Sequence, residues 1–229
     1  MSAPRTAALV PAYQAAGTIA AVVSGTRDVL APVVVVDDGS ADDTAARASA
    51  AGADVLRHAA NQGKGAALVT GLRHLDAAGF ERALTLDADG QHLPSEIPVL
   101  LAAADAEPGA IVVGVRRKEG FAIRRVARFG NWVADRFLRL IAGRSLPDTQ
   151  SGFRVYPIAA TLDLGTSGSR YDFETEVLLR AARRGIDVRG VPVQVYYPPI
   201  AERVSHYRPW LDTLRIIRTV LRVLSGSSR

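Results

Sequence analysis

The chain has 229 residues, 48% of them hydrophobic, and a formal net charge of +5, which suits one large α/β domain with enough apolar content for a real core. It has no cysteine, so disulfides and thiolate metal sites are excluded, and a cytoplasmic setting is compatible with that. Arginines interrupt the best apolar run near the C-terminus, so no stretch is long enough to span a bilayer. Met1-Ser2-Ala3-Pro4-Arg5 leads straight into strand-like sequence with no signal-peptide pattern.

Strands and helices alternate along the first half. Ala7 to Val10 and Val33 to Val36 are apolar β-type runs, and Thr18 to Leu30 between them reads as a helix opened by Gly17 and Thr18. Ser40 is the expected N-cap of a second helix, Asp42 to Ala51, with Asp43 in its first turn. Ala53 to Leu56 is a short third strand, and Gly65 to Ala78 an Ala/Leu-rich helix ending at Gly79. Further strands are expected at Ala83 to Leu86 and Ala110 to Val115, with a helix from about Pro94 to Ala104 between them. Nearly all-apolar strands in β-α-β alternation argue a parallel sheet covered on both faces. Beyond Gly114 the chain turns Arg-rich. Helices are expected from Arg124 to Ile141 and around Asp172 to Arg184, with the segment Asp148 to Tyr156 between them.

In open α/β sheets ligands sit outside the carboxyl ends of the strands, and here those ends carry polar chemistry. Pro11-Ala12-Tyr13 follows the first strand, and Tyr13 is placed to stack on a planar base. Asp37-Asp38-Gly39-Ser40 follows the second, with acceptors for a base or ribose. Asn61-Gln62-Gly63-Lys64-Gly65 opens a helix with a glycine-flanked lysine suited to phosphate. The run Leu84-Thr85-Leu86-Asp87-Ala88-Asp89-Gly90-Gln91 delivers two carboxylates, spaced i and i+2, to the end of a buried strand. A turn beginning at Asp87 can bring both onto one hard cation with coordination positions left for diphosphate oxygens. Each feature alone has a plain alternative: rim packing for Tyr13, helix-capping turns for the acidic pairs, a solvated surface for Lys64. Their joint placement on one sheet edge favours a single site.

These motifs, in this order and with His92 closing the last, resemble family 2 glycosyltransferases of the GT-A fold, and within them the dolichyl- or polyprenyl-phosphate mannosyl- and glucosyltransferase branch. Val113-Gly114-Val115-Arg116, Asp148-Thr149-Gln150-Ser151-Gly152-Phe153-Arg154 and Phe173-Glu174 continue the likeness, which covers roughly residues 6 to 208. It implies a GT-A nucleotide-diphospho-sugar transferase fold, α/β, with a mostly parallel central sheet flanked by helices. Residues 1–208 would form one catalytic domain, with a nucleotide-binding half over about 1–115 and an acceptor half over 116–208.

The resemblance further implies an inverting, metal-dependent hexosyltransferase with a GDP-mannose or UDP-glucose type donor and a polyprenyl-phosphate or other lipid-linked acceptor. Pro11, Ala12, Tyr13 and Asp38 would hold the nucleoside, with Asp37 supporting the turn, Ala88 lining the donor site and Lys64 near the ribose or phosphates. Asp87, Asp89 and Gln91 would surround Mg²⁺ or Mn²⁺, which neutralises charge on the departing nucleoside diphosphate. A lipid phosphate is already anionic and needs positioning cations, for which Arg116, Arg125 and Arg128 are the supply; Arg116 matches the family's phosphate-binding arginine best. A hydroxyl acceptor would need a carboxylate base, and Asp148 is the candidate. Arg203-Val204-Ser205-His206-Tyr207-Arg208 resembles the loop that closes over the donor, bringing His206 and Arg208 to the diphosphate. His58 and His74 belong to no constellation.

Residues 209–229 carry a basic amphipathic helix, Pro209 to Leu224, with Leu214, Ile217, Leu221 and Leu224 in one stripe and Arg215, Arg218 and Arg222 beside it. It suits either peripheral contact with an anionic membrane or packing on the domain. Two other classes stay open. A phospho-receiver-like Mg²⁺ module would use the Asp37 pair with Asp87, but it would be much shorter and would leave Gln62 to Gly65 unexplained. Nucleic-acid binding fits the basic charge, yet few aromatics interleave with the basic residues, so no nucleic-acid partner is expected.

Overall fold

A computed structural model describes residues 4–116, 146–166 and 172–196. The order is β1 (Thr6–Ala12), α1 (Ile19–Arg27), β2 (Val33–Asp37), α2 (Thr44–Ala50), β3 (Asp54–Arg57), α3 (Lys64–Ala77) and β4 (Arg82–Thr85). A 3₁₀ turn at Pro94–Glu96 then leads into α4 (Ile97–Ala106) and β5 (Ile111–Arg116). Beyond it come β6 (Arg154–Pro157), a helix over Ile158–Asp163 (here α5), a helix over Asp172–Arg183 (here α6) and β7 (Val188–Val193). The expected helix from Arg124 to Ile141 and the C-terminal helix from Pro209 lie outside the described residues.

The seven strands form one sheet in the order β3-β2-β1-β4-β6-β5-β7. Alternation along each strand feeds two cores. Ala8, Val10, Ala12, Val33, Val35 and Val112 face one side with Ile19 and Val23 of α1 and Ile97 and Leu100 of α4. Ala7, Leu9, Val34, Val36, Ile111 and Val113 face the other, against Leu68, Leu72 and Leu75 of α3 and Phe173, Val177 and Leu178 of α6. Burial on both faces is why these strands read as unbroken apolar runs.

The sheet is mostly parallel, as expected, and one strand is the exception. β6 runs antiparallel to both of its neighbours, β4 and β5. β5 and β4 are therefore parallel to each other, and the carboxyl ends of β1, β2, β4 and β5 share one edge with the amino end of β6. One expectation needs correction, at Ser40. The helix begins at Thr44, with Asp43 at its N-cap position and no side-chain cap bond. Ser40 instead accepts a hydrogen bond from the backbone of Gln14 at 2.9 Å. Thr44 Oγ1 and Asp42 Oδ2 accept the next two amides, Ala15 at 2.8 Å and Ala16 at 3.1 Å. The segment after β2 thus fixes the loop after β1, including Tyr13, instead of capping its own helix.

Candidate active site at the sheet edge

The turn after β2 is built around two buried carboxylates. Asp37 Oδ1 accepts the Ser40 amide at 3.1 Å, and Arg57 Nε stands 3.1 Å from Oδ2 in an ion-pair contact whose N–H is not aimed as a hydrogen bond. Arg57 also donates to the Ser40 carbonyl at 2.8 Å. Gly39 has φ +73°, and a Cβ there would stand 2.6 Å from the Ala60 carbonyl carbon, so the turn requires glycine. Asp38 donates its amide to the Ala12 carbonyl at 2.8 Å, joining the two strand ends. Its carboxylate accepts the amides of Gln62 at 2.9 Å and Gly63 at 2.7 Å, and contacts His58 Nδ1 at 2.7 Å. His58 Nε2 meets Thr70 Oγ1 of α3 at 3.0 Å. His58, to which the sequence assigned nothing, is therefore part of the Asp38 network. Asp38 itself shapes the loop that presents Lys64.

Lys64 opens α3 and places its ammonium between two carboxylates. Nζ lies 2.5 Å from Asp87 Oδ1 and 2.9 Å from Glu174 Oε1, the latter in the first turn of α6. Burial alone would favour a neutral amine, but the charges of Asp87 and Glu174 outweigh it and hold Lys64 cationic. Burial likewise pulls Asp87 upward, yet the adjacent Lys64 keeps it down at about 2. Asp89 shows the opposite balance: burial and the like charge of Asp87 raise it. Its Oδ1 accepts the Gln91 amide at 3.0 Å, which closes the turn.

Such a pair, with one member still short of positive charge, fits a hard divalent cation held through oxygen donors. Among the described residues no group of three or more His, Asp or Glu side chains is arranged to hold a metal. Among the described residues Asp87 and Asp89 are the carboxylates that could hold it. Ala88 is buried, and its carbonyl accepts the Thr18 hydroxyl at 2.6 Å, anchoring the turn to the start of α1.

His92 supports the same turn from beneath. Its Nδ1 accepts the Asp87 amide at 3.0 Å, its ring stacks on Phe153 with centroids 5.0 Å apart, and burial pushes it down to about 4. Gly152 packs directly against Asp87 and Lys64: a Cβ there would stand 2.7 and 2.8 Å from the Asp87 oxygens and 2.8 Å from Lys64 Nζ. The fully buried Arg154 sets the loop that carries Gly152. It donates to the carbonyls of Thr149, Ser151 and Glu174 at 2.9, 2.7 and 2.8 Å, tying β6 to α6.

At the end of β5, Arg116 grips Asp148 with two parallel bonds, Nε to Oδ2 at 2.7 Å and Nη2 to Oδ1 at 2.9 Å. Burial would raise Asp148, but the Arg116 bonds and charge lower it. Two residues read as alternatives from sequence are one structural unit. Tyr13 stands exposed at the rim, and Pro11 and Ala12 end β1 buried in the sheet. Arg125, Arg128, His206 and Arg208 lie outside the described residues. Glu174, His92 and Arg154 carry structure that sequence reading missed, although each fell inside a motif it singled out.

The chain is similar in sequence and in fold to known proteins. The model for "Glycosyl transferase family 2" matches residues 7–163. The polyprenol monophosphomannose synthase of Mycolicibacterium smegmatis is 30% identical over 210 residues, covering 82% of this chain and 76% of that protein. The undecaprenyl-phosphate mannosyltransferase of Micrococcus luteus is 28% identical over 202 residues, covering 82% of each. In fold, the chain is similar to the glucosyl-3-phosphoglycerate synthase of Mycobacterium tuberculosis, crystallised with Mn²⁺, UDP and phosphoglyceric acid. The TM-score is 0.71 at 23% identity, over 97% of this chain and 78% of that one.

Proposed function

The chain belongs to glycosyl transferase family 2, and from that premise we propose that it moves a hexose from a nucleoside-diphosphate sugar to a polyprenyl phosphate. The observation that carries this reading is the convergence of Asp87, Asp89, Lys64 and Arg116 on one sheet edge, anionic and cationic groups together where a diphosphate leaves and a phosphate attacks. Two relatives, one named for undecaprenyl phosphate and one for polyprenol monophosphomannose, support the acceptor class.

Asp87 and Asp89 would hold Mg²⁺ or Mn²⁺, with Gln91 fixing Asp89 through its amide. When bound, the ion supplies charge neutralisation to the departing nucleoside diphosphate. The loop from Tyr13 to Ala16, fixed by Ser40, Thr44 and Asp42, would receive the base, with Tyr13 as a stacking face. Asp38 acts by fixing the loop from Gln62 to Lys64. In the transfer, a phosphate oxygen of the acceptor forms the new bond to the anomeric carbon. The bond from that carbon to the donor diphosphate breaks with its electron pair on the leaving nucleoside diphosphate. The attacking oxygen is already anionic, so no residue needs to take a proton.

The lack of a need for a base supports the phosphate acceptor over the hydroxyl one. Asp148 is lowered and doubly bonded to Arg116, which makes it a poor proton acceptor and a good orienter of a guanidinium. Arg116, held this way, is assigned to the acceptor phosphate. Among the described residues no helix is long and apolar enough to cross a membrane. Thermal stabilisation by a panel of UDP- and GDP-sugars, with and without Mn²⁺, tests the donor half. A cognate donor at a hundredfold its Kd should contribute about 2.7 kcal/mol. Transfer of labelled sugar to a polyprenyl phosphate tests the other half. Metal-independent stabilisation, or transfer only to hydroxyl acceptors, would overturn the reading.

A further inference from the structure

Glu174 has no part in the reading above, yet it is the second anion on Lys64. Its side chain is 5% exposed, and its carboxylate stands 2.9 Å from Nζ. Its position is fixed independently, because Arg154 Nη1 donates to the Glu174 carbonyl at 2.8 Å and so pins the first turn of α6 to β6. The other end of the ammonium's contact is Asp87 Oδ1, at 2.5 Å. Lys64 is thus stretched between a carboxylate assigned to the metal and one that belongs to the acceptor side of the fold. Among the described residues Glu174 forms no metal-holding group with Asp87 and Asp89. Its carboxylate serves the lysine.

We propose that Glu174 is a positioning residue for Lys64, and that the two together set the affinity of the Asp87–Asp89 pair for a divalent cation. The inference rests on the metal reading above and extends it. A cation arriving at Asp87 meets an ammonium on the same carboxylate, and like charges at such separations oppose one another strongly even with partial screening. Glu174 offsets this by giving the ammonium a second anion. With Glu174 neutral, more of its pull falls on Asp87 and the cation competes less well. With Lys64 neutral, the opposition is gone.

The test is Mn²⁺ alone, without nucleotide, titrated into the full chain and followed by the resonance signal of free Mn²⁺. Lys64→Gln should bind Mn²⁺ at least about fivefold more tightly than wild type, and Glu174→Gln about fivefold more weakly. Glu174→Asp, which keeps the charge, should fall nearer to wild type. In the Lys64→Gln background the effect of Glu174→Gln should shrink, because the residue then has no ammonium to position. Misfolding caused by Glu174→Gln would weaken Mn²⁺ binding equally in the Lys64→Gln background, whereas positioning predicts a diminished effect there. Changes of the same sign, or a Glu174→Gln effect undiminished in the double variant, overturn the proposal. Asp89→Asn separates it from its premise. If that variant binds Mn²⁺ as wild type does, the metal reading fails and takes the proposal with it. If it loses Mn²⁺ while Lys64→Gln is unchanged, the positioning role alone fails.

Discussion

Gly152 stands against Asp87 so closely that no side chain fits between them. A Cβ at residue 152 would lie 2.7 Å from Oδ1 and 2.8 Å from both Oδ2 and Lys64 Nζ. Nothing about the glycine's own backbone demands this; the reason is the approach of the loop before β6 to the end of β4. Thr85 Oγ1, which donates to the Gly152 carbonyl at 2.8 Å, holds that approach.

Gly152→Ala should therefore damage function more than folding. The methyl displaces Asp87 and Lys64 from each other, while overpacking of this size costs about 1–3 kcal/mol. Turnover should drop by well over tenfold in a protein whose urea midpoint moves only modestly. A variant with near-normal turnover would show that Asp87 and Lys64 need not sit where they do.

Asp89→Asn should remove transfer and leave the fold as stable as before, or more so. Burial and Asp87 both raise Asp89, so the folded state gains by losing that charge. Removing one electrostatic stabiliser of a developing charge costs about 10²- to 10³-fold in rate. Rate and melting temperature measured on the same preparation decide the matter: loss of both together would make Asp89 a structural residue.

The alternation of strands and helices through Arg116 was legible because each strand is buried on both faces and each helix shows an apolar stripe. What was not legible came from residues that look wrong for their place. β6 contains an arginine and ends at a proline, and only the four acceptors around the Arg154 guanidinium make it tolerable inside the sheet. β7 holds Arg189, Gly190 and Pro192; among the described residues it pairs with β5 alone, at the sheet edge, where proline is allowed. The site was legible as motifs but not as contacts. Spacing placed Asp87 and Lys64 on one edge, while Glu174 beside Lys64 and His58 beside Asp38 depend on long-range packing that no local pattern encodes.

Acid should destabilise the metal-free protein from a higher pH than its carboxylates would. Burial lowers His92 from the ordinary 6.5 to about 4. Below pH 6.5 the unfolded chain binds a proton that the folded chain refuses until about 4. The stability due to a neutral His92 is thus complete above 6.5 and lost as pH falls from 6.5 to 4. The limiting slope is about 1.4 kcal/mol per pH unit, or roughly 3 kcal/mol in all. Asp148, lowered by Arg116, and Asp87, at about 2, lose their contributions only below the usual carboxylate range. Urea unfolding in chelator at pH 7, 6, 5 and 4.5 should show this slope in wild type and lose it in His92→Phe. The phenyl ring keeps a stacking partner for Phe153 but cannot titrate. An unchanged slope in the variant would assign the effect elsewhere.

The Arg116–Asp148 pair gives the last prediction, and it decides what the acceptor is. Arg116→Ala is a poor probe, because it leaves Asp148, a carboxylate only 14% exposed, without its doubly bonded partner and so perturbs the local fold along with the acceptor. Arg116→Lys keeps the charge and loses the two parallel bonds. If the guanidinium grips the acceptor phosphate, this variant should raise the acceptor KM about tenfold or more and leave the donor KM nearly unchanged, since a lysine cannot reproduce a fixed fork. Asp148→Asn should then slow turnover by about tenfold at most, with the same pH–rate profile, because an amide can still orient Arg116 through one bond. A general base behaves differently. Its replacement would abolish turnover and erase the acidic limb of the profile. That outcome, with a donor KM that rises in Arg116→Lys, would return Asp148 to the role of base and make the acceptor a hydroxyl.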